Sequence, residues 1–110
     1  MTEGDGLRKD PVLSVETVGT ACVVKLGGEL DLYNAPQVRK ALVEACADSP
    51  ERVVVDLTEV EFIDSTGLGV FVGALKRSRE GGDELQLRSL RPAARKIFDI
   101  TGLSTAFSID

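Results

Sequence analysis

The stretch from Val53 to Glu80 admits few folds. Val53, Val54, Val55 and Leu57 form a nearly continuous apolar run rich in β-branched residues, the pattern of a central strand covered on both faces, or covered on one and thinly exposed on the other. A polar segment ending in Asp64-Ser65-Thr66-Gly67 follows, and apolar residues then recur at helical spacing through Leu68, Phe71 and Leu75. The reading is strand, turn, helix. A turn that gathers a carboxylate, two hydroxyls and a glycine at a helix start lies where unpaired backbone NH groups and the positive end of the helix dipole favour an anion. Function is expected there.

The flanking sequence completes an alternating architecture. Residues 1–11 are polar and glycine-bearing and read as a flexible N-terminal tail, with one domain over residues 12–110. Leu13, Val15 and Thr17 alternate with polar neighbours, Gly19-Thr20 makes a turn, and Cys22, Val24 and Leu26 resume a period of two, so the chain opens on a hairpin. Gly27-Gly28 is expected to weaken the second strand near its end, and Glu29 to Asn34 to form a polar loop with Asn34 as helix N-cap. Ala35, Val38, Ala41, Leu42, Ala45 and Cys46 mark the buried stripe of a first helix, opened by Pro36 and stopped by Asp48-Ser49-Pro50. Gly81-Gly82 supplies a left-handed cap to the second helix. Leu85 and Leu87 read as a fourth strand. Pro92 opens a third helix with the stripe Ala93 or Ala94, Ile97, Phe98 and Ile100, Thr101-Gly102-Leu103 stops it, and Ala106 to Ile109 suggest a last short strand. The fold class is α/β, in the order ββαβαβαβ. Strands joined through helices run parallel by right-handed crossovers, giving a mixed four- to five-stranded sheet with helices packed on one face.

Composition narrows the function. A length of 110 residues suffices for one core and is too short for two nucleotide-binding halves. With 13 basic and 18 acidic residues the net charge is -5, which argues against a nucleic-acid backbone or an anionic membrane and points to a protein partner. Cys22 and Cys46 lie in apolar patterns without metal-ligand spacing, and no segment approaches the ~18 apolar residues of a membrane span, so the expected setting is cytoplasmic.

Catalytic readings of the turn fail on spacing. Gly67, Gly69 and Gly73 fall one residue too far apart for a dinucleotide loop, and no Gly-Lys-Ser or Gly-Lys-Thr triplet exists for a phosphate loop. Ser65 would need glycine where Ile63 stands to form a nucleophile elbow, and the chain has no histidine to serve as its base. Asp56, Glu59, Glu61 and Asp64 read as a solvated loop rather than oxygen ligands, so neither metal nor cofactor is expected. By itself Ser65 reads as a helix N-cap. On a helical wheel Leu68, Phe71, Val72 and Leu75 form the core stripe, which leaves Gly67, Val70 and Ala74 as a small apolar patch beside the hydroxyls, a candidate protein contact unless sheet or loop covers it.

Phe62-Ile63-Asp64-Ser65-Thr66-Gly67-Leu68-Gly69 resembles the signature of the STAS domains, specifically the bacterial anti-sigma factor antagonists. Gly28-Glu29-Leu30-Asp31, Val53 to Leu57 and Ile97 to Leu103 agree with it, and the resemblance spans residues 12–109. It implies a non-enzymatic switch in transcription regulation. Ser65 would be phosphorylated by a partner that is both anti-sigma factor and serine kinase, and a serine phosphatase would reverse this. Unphosphorylated, the domain would hold the kinase and release a sigma factor. Asp31 and Asn34 would share the partner surface with Asp64, Ser65 and the second hydroxyl of Thr66, and the patch of Gly67, Val70 and Ala74 read from the helical wheel would extend it. The alternative is a scaffold or transporter-associated subunit that binds a partner without phosphorylation. Monomer and weak dimer are both left open. Antagonist-type members usually continue into a C-terminal helix, and this sequence ends at Asp110.

Overall fold

The computed structural model describes residues 10–47 and 50–109, so the expected tail over residues 1–9 and the helix stop at residues 48 and 49 lie outside the described residues. Strand β1 (Val12–Val18) turns at Gly19, φ +61°, into β2 (Ala21–Leu30). Helix α1 (Ala35–Ala47), β3 (Arg52–Ile63), α2 (Ser65–Gly81), β4 (Glu84–Arg88), α3 (Pro92–Ile100), a 3-10 turn (Leu103–Thr105) and β5 (Ser108–Ile109) follow. The sheet has five strands in the order β1-β2-β3-β4-β5, antiparallel between β1 and β2 and parallel thereafter. Successive right-handed crossovers stepping one way across a sheet place every helix on the same face. That is the expected layout.

The core fills the space between helices and sheet. Val24 and Leu26 of β2, Val53, Val55 and Leu57 of β3, and Leu87 of β4 are fully buried beneath Leu42, Phe71 and Phe98 of the three helices. The Phe71 and Phe98 rings lie 6.4 Å apart, and Phe98 meets Phe107 edge-on at 5.6 Å, so α2, α3 and the C-terminal segment close over one core. Full burial of one such ring contributes about 2–3 kcal/mol.

Four local expectations need correction. Order reaches back to Pro11, which is buried and whose carbonyl accepts the Gly27 amide at 2.9 Å. Strand β2 does not end at Gly27-Gly28 but continues to Leu30, with register breaks between Lys25 and Gly27 and between Gly28 and Glu29. Gly28 takes φ +76°, and a Cβ on Gly27 would stand 2.9 Å from Leu13 Cδ1, so glycine permits a kink and a close cover rather than a stop. Because β2 extends, β3 extends beside it: Glu59 and Phe62 pair with Gly27 and Glu29, which makes Glu59 and Glu61 strand residues and not loop. On α3, Ala94 and Phe98 are buried while Ile100 is exposed.

The largest correction is the phase of α2. Its buried residues are Gly67, Leu68, Phe71, Ala74 and Ser78, whereas Val72 is 41% exposed. Small side chains let this helix approach its neighbours closely, and the buried Ser78 hydroxyl is satisfied by the Asp83 carbonyl at 2.8 Å. At the far end Gly82 supplies the cap with φ +80°.

The face opposite the helices is polar where β3 and β4 run together. Thr58 donates its hydroxyl to Asp56 at 2.6 Å and its amide at 3.0 Å, and Arg88 lies 3.5 Å from the same carboxylate. Burial opposes ionisation of Asp56, but these hydrogen bonds and the guanidinium outweigh it and hold the carboxyl below its ordinary range.

Candidate partner-binding site

Strands β2 and β3 are parallel neighbours, so the loops after them open side by side at the carboxyl ends of the strands. Asp64 ties the two loops. Its amide donates to the Leu30 carbonyl at 3.0 Å, one carboxylate oxygen accepts the Leu32 amide at 3.2 Å, and the other accepts the Gly67 amide at 2.9 Å. Asp64 is therefore the N-cap of α2. The capping expectation for Ser65 is corrected, since the aspartate one residue earlier already satisfies the helix start. Ser65 occupies the first helical position with its side chain exposed, and Thr66 beside it is half-buried.

In the loop after β2, Asp31 accepts the amides of Tyr33 at 3.0 Å and Asn34 at 3.3 Å, which folds the chain into a tight turn. Asn34 does precede the first residue of α1, but its side chain turns back instead of forward. It accepts the Asp31 amide at 2.9 Å and donates to the Glu29 carbonyl at 2.6 Å. With these bonds made and only 7% of its surface exposed, Asn34 is a brace beneath the loop and not a contact residue.

Of the expected partner surface, Asp31, Asp64, Ser65 and Thr66 come together around the two loops, with Val70 one turn along α2. Gly67 and Ala74 do not belong to it. Ala74 is fully buried, and a Cβ on Gly67 would lie 3.0 Å from both Ile63 Cγ2 and the Leu30 carbonyl oxygen, so both positions serve packing.

The sequence reading overlooked three large apolar side chains on this rim: Tyr33 is 77% exposed, Leu32 62% and Phe62 48%. Leu32 and Tyr33 fit neither the strand nor the helix period in a polar loop, and that mismatch was the available signal. Beside them a groove of about 610 Å³ runs between α1 and α2, lined by Leu32, Ala35, Pro36 and Val43 with Thr66 and Val70 opposite, and by the charged Arg39, Lys40 and Glu44. Aromatic anchors next to an apolar groove are the usual make-up of a protein contact. Among the described residues, no group of three or more His, Cys, Asp or Glu side chains is placed to hold a metal, and no helix is long and apolar enough to cross a membrane.

The sequence matches the STAS domain family model over residues 12–110. The chain belongs to the STAS domain family. It is 45% identical over 84 residues to an anti-sigma-B factor antagonist of Listeria monocytogenes, covering 76% of this chain and 74% of the relative. The antagonist of the same name from Staphylococcus aureus is 37% identical over 87 residues, with coverage of 79% and 81%. Among solved structures, an anti-sigma factor antagonist from Mycobacterium paratuberculosis superposes with a TM-score of 0.76 at 34% identity, covering 87% of this chain and 81% of that one.

Proposed function

We propose that this chain is an anti-sigma factor antagonist working as a phosphorylation-switched binding module in transcription regulation, without chemistry of its own. Unphosphorylated, it binds a cytoplasmic anti-sigma factor kinase and so frees a sigma factor; the kinase modifies Ser65, and a serine phosphatase restores the binding form. The observation that carries this reading is the division of labour at α2: Asp64 caps the helix, which leaves the exposed Ser65 hydroxyl without a structural duty. The names of the relatives support the same role.

The switch proposed is electrostatic rejection rather than refolding. A phosphate on Ser65 adds about -1.5 to -2 charges at pH 7, which a helix N-terminus tolerates locally. Asp64 and Asp31 already hold negative charge on this rim, so a partner would meet several like charges on one small face. A desolvated like-charge contact costs several kcal/mol, enough to lower affinity by about two orders of magnitude. Incubation with the kinase and ATP followed by peptide mass mapping tests the assignment. The phosphate should map to Ser65, Ser65→Ala should bind constitutively, and Ser65→Asp should bind weakly. A mass shift that survives Ser65→Ala and maps to Thr66 or Ser78 would refute it. Amide spectra of the two forms should differ only around residues 31–34 and 64–70, with nearly equal unfolding midpoints; shifts reaching α3 would mean a conformational mechanism.

A further inference from the structure

The groove between α1 and α2 carries a charge pattern of its own beside the Ser65 rim. Arg39 and Lys40 sit on exposed turns of α1 along its edge, and neither forms an ion pair with any described carboxylate, although the chain has 18 acidic residues and a net charge of -5. Lys40 and Glu44 stand four residues apart on the same helix, and no ion pair joins them within 4.0 Å. The floor is apolar, built from Leu32, Ala35, Val43 and Val70, and Thr66 closes the end next to Ser65.

Resting on the antagonist reading, we infer that this groove docks an amphipathic helix of the anti-sigma kinase, whose apolar side chains fill the floor and whose Asp or Glu residues pair with Arg39 and Lys40. Two adjacent helices leave a channel that a third can enter ridge into groove, and an open channel suits a helix better than a small enclosed ligand. Charge complementarity fixes the sign: on an acidic surface, unpaired cations at an apolar edge select an acidic partner and repel a basic one. The groove is continuous with the Ser65 rim through Thr66, and this adds a route for the switch. Phosphate on Ser65 would place negative charge at the end of the channel, where it offsets the field of the same cations that attract the docked helix.

Titration calorimetry with the purified anti-sigma kinase, at about 50 mM and 300 mM salt, tests this. Wild-type binding should weaken as salt rises. The double variant Arg39→Glu/Lys40→Glu should lose at least tenfold in affinity at low salt and most of its salt dependence, with an unchanged unfolding midpoint because both side chains are exposed. Lys76→Glu/Lys96→Glu, which makes the same charge change away from the groove, should stay within about threefold of wild type after the general charge effect. Wild-type binding with an unaffected Arg39→Glu/Lys40→Glu variant overturns the groove inference alone. So does an equal loss in Lys76→Glu/Lys96→Glu, because net charge would then be the cause. A wild-type chain that fails to bind the kinase at all overturns the antagonist reading and this inference with it.

Discussion

Asn34 and Ser65 stand at the starts of neighbouring helices, and each follows a parallel strand of the same sheet. Their fates are opposite. Asn34 is buried and spends both ends of its amide on Asp31 and Glu29, whereas Ser65 is exposed and stands beside an aspartate that has taken over the capping bond. A polar residue at a helix start can therefore be scaffold or site, and the deciding fact is whether a neighbour relieves it of structural work. Where Asp64 does so, a hydroxyl can gain or lose a phosphate at small cost to the fold.

Substitutions at four carboxamide, carboxylate and hydroxyl positions would break or sharpen this contrast. Asn34→Ala should have the largest effect, about 2–4 kcal/mol of unfolding free energy, because it strands the Glu29 carbonyl and the Asp31 amide in a half-buried loop. If chemical denaturation shows a loss below about 1 kcal/mol, Asn34 is not the brace described. Asp64→Ala should cost about 1–2 kcal/mol, since it removes the α2 cap and the tie to Leu32 together. Hydrogen exchange at the Leu32 and Gly67 amides should rise with it.

Asp56→Asn should cost about 0.5–1 kcal/mol near neutral pH, discounted because Arg88 and Thr58 are accessible to water. The sign follows from the depressed carboxyl: stability from Asp56 is present above the ordinary Asp value of ~3.9 and is lost as pH falls through the lower folded value. Acid titration of the variant should thus fall less steeply over that window than wild type. Ser65→Ala should come last, below about 0.5 kcal/mol, while removing kinase-dependent phosphorylation entirely. A thermal shift for Ser65→Ala as large as that for Asp64→Ala would erase the distinction between site and scaffold.

The element order ββαβαβαβ, the mixed sheet and the location of the Asp64 to Thr66 turn were legible because long apolar runs, period-two alternation and turn residues leave little choice over this length. The face of α2 was not legible. A wheel weighted by hydrophobicity turned Val72 inward, but the helix packs through Gly67, Ala74 and Ser78, whose value lies in their small volume and not in their apolar area. The division between Asn34 and Ser65 was hidden for another reason: both are polar residues at helix starts, and only the hydrogen bonds made with the Asp31 amide, the Glu29 carbonyl and the Asp64 carboxylate tell them apart. The groove escaped notice because its two walls are residues 35–44 and 66–70, brought together by a crossover that no local pattern specifies.

The strand order β1-β2-β3-β4-β5 repeats the order of synthesis. Each strand leaving the ribosome finds its only earlier neighbour already made, and none has to be threaded between two finished strands. Growth by addition at one edge keeps loop-closure distances short and confines each new pairing to the edge of the strand made last. Nascent chains stalled once α2 has emerged should therefore already protect the β2 and β3 amides from exchange, before β4 exists. Protection that arrives only with the complete chain would show that the sheet assembles in one step after release.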